Sequence, residues 1–253
     1  MARQLVFVFS LASYGLFLAA FLIGIAFVGD LGSMFGLTIV PWNIDSGESS
    51  GVAATVAIDL ALIAAFGVHH SVAARPAFKR TLTQWLPQPA ERSLYVLTST
   101  AMLLLIFWQW RPLPHVLWVV TAGWGRALVW LAFGSSWVLV LASSFAINHF
   151  DFLGVRQAYL YLRGKPYSDL PFSGRGLYGV VRHPLVLGLL LGFWITPVMT
   201  VGHLLFAATM TAYGLVGIRF EERALVAHFG DRYRDYQRRV PGLLPLPRPS
   251  SSA

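Results

Sequence analysis

His69, His70, His149 and His183, together with Asp151, Glu221 and Glu222, are the side chains of this sequence best able to move protons or hold a charged small molecule. No two of the seven histidines are separated by the three or four residues that would set paired ligands on one helix face, so a zinc or diiron centre is not expected, and no metal is. The absence of cysteine removes thiolate ligands, disulfides and a cysteine nucleophile together. Gly174, Gly176 and Gly179 satisfy a G-x-G-x-x-G spacing. They follow a loop instead of a strand and lack an acidic residue some twenty positions on, so they read as turn residues and not as a dinucleotide cradle.

These groups have to be positioned by elements that cross a membrane. The chain is 56% hydrophobic and only 12% charged, with a mean hydropathy of +0.62. A soluble domain has no place for that much apolar surface. The runs predict an all-α polytopic bundle of about six spans (range five to seven), near residues 4–28, 51–73, 93–110, 124–147, 185–199 and 202–219. The last two are expected to form a hairpin closed by a tight connection at Pro197 and Gly202. Of the nineteen Lys and Arg, only Arg111 and Arg126 fall on one side of this arrangement. The positive-inside rule then puts both termini in the cytoplasm; a bacterial inner membrane is the expected location. The same distribution accounts for the net charge of +8 through topology, so no nucleic acid partner is expected. Membrane lipids are the surroundings, and the oligomeric state is left open.

Past Arg219 a stripe of Leu225, Phe229, Tyr233, Tyr236 and Val240 predicts a cytoplasmic amphipathic helix that Gly230 can break. At 100° per residue Glu222 lies about 20° from the centre of that stripe and Glu221 about 80°, so at least one carboxylate turns inward. Asp59 lies within the second span and needs a partner there. The chain is expected to be one domain. Residues 1–150 carry the substrate side, 151–241 the cofactor hairpin and a C-terminal lid, and 242–253 a tail without fixed structure.

The stretch Tyr178-Gly-Val-Val-Arg-His-Pro-Leu-Val-Leu-Gly188, followed by Phe220-Glu-Glu-Arg223, Phe229-Gly230, Tyr233, Tyr236 and Val240-Pro241, resembles the isoprenylcysteine carboxyl methyltransferase type of membrane methyltransferase. Phe66-Gly-Val-His-His-Ser71, Glu91-Arg-Ser-Leu-Tyr95 and Asn148-His-Phe-Asp-Phe-Leu-Gly154 are similar to the methanethiol S-methyltransferase branch of such enzymes. The resemblance implies S-adenosylmethionine as methyl donor, bound by Tyr178, Arg182, His183, Pro184, Gly188, Glu221, Glu222, Tyr233 and Tyr236, and a small thiol as acceptor, methanethiol becoming dimethyl sulfide.

Pro184 suits the first turn of a helix whose free amides would face the cofactor. His70 or Asp151 is expected to take the thiol proton, and Phe145, Phe152 and Trp194 to wall the thiol pocket. Two readings stay open beside this one: another acceptor on the same scaffold, such as a prenylcysteine carboxylate or hydrogen sulfide, and a nicotinamide-dependent membrane reductase.

Overall fold

A backbone surrounded by lipid must satisfy its own hydrogen bonds, which leaves the apolar runs no choice but helix. The computed structural model describes residues 1–32, 36, 42–48 and 50–245. Among the described residues five helices are long and apolar enough to cross a membrane: α1 (Ala2–Val28), α2 (Val52–Ala73), α4 (Gln88–Gln109), α5 (Gly123–Ala146) and α10 (Val201–Phe229). A short helix, α3 (Pro76–Leu82), joins α2 to α4. At the Arg-rich end, α6 (His149–Phe152), α7 (Val155–Leu162) and α8 (Leu177–Val180) are short surface helices. The tail expected beyond 242 lies outside the described residues from 246 onward.

The expected fifth span, 185–199, is not a single helix. α9 (Pro184–Trp194) has 11 residues, about 16 Å of rise, roughly half the thickness of a hydrocarbon core. It stops at Ile195-Thr196-Pro197-Val198, where branched side chains and a proline disfavour helix. The chain continues extended, each residue now covering about 3.3 Å.

The expected tight connection is in fact a strand, β2 (Val198–Thr200), paired antiparallel with β1 (Val116–Val119). This small two-stranded sheet is added to an otherwise helical bundle. The same region draws further bonds from Val120 N–H to Pro197 O, Val201 N–H to His115 O and Gly202 N–H to Leu113 O. His203 Nε2 meets Phe193 O at 2.8 Å. Asp59, buried in α2, accepts the Arg111 backbone N–H at 3.0 Å.

α10 merges the expected sixth span with the start of the amphipathic helix. Its 29 residues rise about 43 Å, longer than a bilayer core requires, so its polar end projects beyond the apolar layer. Nothing in the run breaks it before Gly230, whose φ of +58° and ψ of −133° suit glycine alone. The chain turns there into α11 (Asp231–Arg239). Despite the break, the expected stripe stays together: Tyr233, Tyr236 and Val240 are buried against Leu225, Phe229 and Phe172.

Close packing fixes the remaining geometry. α9 lies against α5 through Gly188 and Gly192, where a Cβ would come within 2.8 Å of Ser136 O and 2.9 Å of the Trp137 ring. Ser93 Oγ donates to Ser10 Oγ, which donates to Gly154 O, so α4, α1 and the loop before α7 are tied together. An aromatic core of Phe27, Phe107, Trp110, Phe193 and Phe206 fills the opposite end of the bundle.

Candidate active site

One wall begins where α5 ends. Asn148 adopts a left-handed conformation, φ +78°, and its side chain accepts the Asp151 N–H at 3.1 Å, starting α6. Asparagine is among the few residues that tolerate this geometry and also cap a helix. The turn buries His149, 3% exposed, flat against Phe145 with ring centroids 4.3 Å apart. Its Nδ1 lies 2.8 Å from Ser144 Oγ and its Nε2 3.0 Å from the Tyr14 hydroxyl. Burial holds its pKa below the ordinary value.

Asp151 pairs with Arg156 at 2.8 Å and accepts the Tyr167 hydroxyl at 3.3 Å. Arg92 donates from Nε to Phe152 O at 2.8 Å. Its guanidinium sits over the rings of Tyr95 and Phe152, 5.0 and 5.2 Å from their centroids.

The facing wall is charged. Glu222, whose side chain is 19% exposed, accepts from Arg182 Nε at 2.6 Å and meets His183 Nε2 at 3.0 Å. Glu221, 57% exposed, lies 3.5 Å from His183 Nδ1. Burial opposes charge on His183, but the hydrogen bonds and charges of the two carboxylates outweigh it and raise its pKa. Arg182 also donates to Gln237 O and Val240 O at 3.2 and 2.5 Å, and the backbone amides of Arg182 and His183 donate to Pro241 O and Gly242 O. The chain after α11 is thereby clamped to the start of α9. Tyr236 donates to Tyr178 O at 2.5 Å, and burial raises the pKa values of Tyr178, Tyr233 and Tyr236, so all three stay neutral phenols.

Between the walls lies a cleft of about 1280 Å³ lined by both sets of residues. Residues 60–243 match the NnrU protein family. The chain is 47% identical to a methanethiol S-methyltransferase of Mycobacterium tuberculosis, over 98% of each chain. It is 45% identical to methanethiol S-methyltransferase 2 of Bradyrhizobium diazoefficiens, over 96% of this chain and 91% of that one. A methanethiol S-methyltransferase of Crocosphaera subtropica is 40% identical, over 97% and 94%. The chain belongs to the methanethiol S-methyltransferase family of NnrU proteins. No solved structure matches it.

As a multi-pass membrane protein of this family, the chain brings most of the residues singled out in its sequence to one cleft. Tyr178, Arg182, His183, Glu221, Tyr233 and Tyr236 line it, as do Asp151, Phe145 and Phe152. Glu222 stands behind the wall as the hub of Arg182 and His183. Pro184 is the buried first residue of α9, and Gly188 is spent on packing against α5, so neither lines the cleft. The amides expected to be free at this helix start are partly taken by Pro241 and Gly242.

Two of the expected residues lie outside the cleft lining. Trp194 sits at the far end of α9, roughly 15 Å of helix from His183, with Nε1 bonded to Thr211 Oγ1 at 2.9 Å. His70 is turned inside the bundle against Phe66 and Tyr213, its Nε2 2.6 Å from the Tyr95 hydroxyl, and does not line the cleft. Arg92 and His149 do line it. In the sequence Arg92 reads as a topological charge and as part of the Glu91-Arg-Ser-Leu-Tyr95 similarity, with no role in the site, and His149 as one of the boundary histidines, although the Asn148-His-Phe-Asp turn marks both a cap and a sharp re-entry into the bundle. Among the described residues no group of three or more His, Asp or Glu is gathered as a metal site requires.

Proposed function

We propose that this protein transfers a methyl group from S-adenosylmethionine to methanethiol, releasing dimethyl sulfide, at the Arg-rich face, with both termini in the cytoplasm of a bacterial inner membrane. The observation that carries the reading is the near full-length likeness to three proteins named methanethiol S-methyltransferase. The cleft suits the two reactants. Its volume exceeds the roughly 300 to 1,000 Å³ of an ordinary small-molecule pocket, which leaves room for a nucleoside-sized donor and a small thiol.

S-adenosylmethionine supplies, when bound, an electrophilic methyl group on a positively charged sulfur. Tyr178, Tyr233 and Tyr236 offer it neutral aromatic walls, and Glu221 an unburied carboxylate for a cationic group. Arg182 and His183, fixed by Glu222, hold the wall in place, with Pro184 and Gly188 supporting it from behind. Phe145 and Phe152 exclude water on the thiol side, and Asp151 with Arg156 and Tyr167 holds the loop that carries them. Enclosing both reactants converts a bimolecular encounter into an aligned one. An alkyl thiol, with a pKa at or above about 8.5, is mostly protonated at neutral pH, so the site must also accept a proton.

Purified protein in lipid nanodiscs, given S-adenosylmethionine and methanethiol, is expected to release dimethyl sulfide into the gas phase in step with S-adenosylhomocysteine. Binding of the donor without product from methanethiol would refute the assignment.

A further inference from the structure

We infer that His149 is the terminal acceptor of the thiol proton, reached through the hydroxyl of Tyr14. The inference rests on the proposed methyl transfer and names the group that the reaction needs, since His70 lies outside the cleft lining and Asp151 is engaged by Arg156 and Tyr167.

Three histidines line the cleft: His149, His183 and His228. His183 meets a carboxylate at each ring nitrogen, which favours its protonated form over a free lone pair. His228 lies exposed on α10, stacked edge-on to Phe229. His149 alone of these combines burial in the thiol-side wall with a ring whose two nitrogens both meet hydroxyl oxygens.

The partners decide the tautomer. Ser144 donates its own hydrogen to Leu141 O at 2.7 Å, so its oxygen accepts from Nδ1–H. Nε2 is then the lone-pair nitrogen and receives the Tyr14 hydroxyl hydrogen. A hydroxyl both donates and accepts. When Nε2 gains a proton, the Tyr14 oxygen can accept it back, and Nδ1–H still points at Ser144. The ring therefore takes up charge without leaving a buried polar group unpaired. His70 differs: its Nδ1 is buried with no hydrogen-bond partner, so a proton there would have no acceptor.

The surroundings suit a small apolar thiol. Phe145 stacks on His149, and Phe150 packs edge-on against it, with ring centroids 5.6 Å apart. Both phenylalanines line the cleft, and half-buried Tyr14 of α1, outside the lining, packs against Phe150 with ring centroids 6.0 Å apart.

In the step, the thiol S–H proton passes to the Tyr14 oxygen as the Tyr14 proton passes to Nε2. The electron pair left on the thiol sulfur forms the new carbon–sulfur bond to the methyl group. The bond from that methyl to the sulfonium breaks, and its electron pair stays on the donor sulfur. The imidazolium afterwards returns its Nε2 proton to the Tyr14 oxygen as the Tyr14 hydroxyl proton passes to water.

The test compares methanethiol with 2,2,2-trifluoroethanethiol, a stronger acid, assayed at a pH where the latter is already ionised and needs no base. His149→Gln is expected to lower kcat/KM about 100-fold with methanethiol, and Tyr14→Phe about tenfold, with both changes under about threefold for the fluorinated thiol. Donor binding by calorimetry stays at the wild-type level. Equal losses with the two thiols, or none with methanethiol, would overturn the inference. If His149→Gln does not fold, Tyr14→Phe decides by the same ratio. Wild-type protein that methylates neither thiol sinks the proposed function itself, and this inference with it.

Discussion

Glu222 is the most heavily engaged carboxylate of the site, held by Arg182, His183 and Gln237 at 2.6, 3.0 and 3.2 Å. Removing it leaves two cationic side chains against each other in a mostly buried wall. Glu222→Ala is expected to cost about 3 kcal/mol of stability, read as a lower thermal midpoint in detergent and faster proteolysis after residue 230. His183 adds a pH dependence. Its folded pKa lies above the ordinary 6.5, so its stabilising charge is complete below 6.5 and is lost as pH rises through the raised value. Protection of the C-terminal segment from protease should therefore decline on the alkaline side of 6.5, and the decline should shrink in Glu222→Ala. The helical angles anticipated this inward and outward division between Glu222 and Glu221. They could not reveal Gln237 as a partner, because that pairing needs the turn at Gly230.

α9 shows why an element can be mistaken while its motif is not. Its proline start was legible, since Pro184 costs no hydrogen bond in a first turn. Its length was not: hydropathy continues through Ile195 and Val198, but only pairing with β1 allows those residues to be extended in apolar surroundings. Gly188 and Gly192 set the distance to α5. Gly188→Val should push α9 away from Ser136 and Val140 and cost about 1 to 3 kcal/mol. The expected readout is a lower thermal midpoint with weaker donor binding, because His183 moves with the helix. A variant with wild-type stability and affinity would remove α9 packing from the account of the site.

The bundle as a whole carries an orientation that can be read directly, because the chain has no cysteine of its own. Glu48→Cys and Arg234→Cys each introduce one thiol at an exposed position near opposite ends. In intact cells a membrane-impermeant maleimide should label the first, and the second only after permeabilisation; the reverse pattern would invert the proposed topology. The membrane class, the four long spans before residue 150 and the gathering of Lys and Arg in one set of connections were determined by the sequence alone. Length, hydropathy and charge asymmetry are local properties that lipid and water sort without reference to a partner. The strand in place of a hairpin turn, the withdrawal of His70 and the arrival of His149 beside Tyr14 were decided by tertiary structure. Residues 135 positions apart meet there, and which nitrogen faces which hydroxyl depends on how α1, α5 and the Asn148 turn pack, a relation no periodicity along the chain encodes.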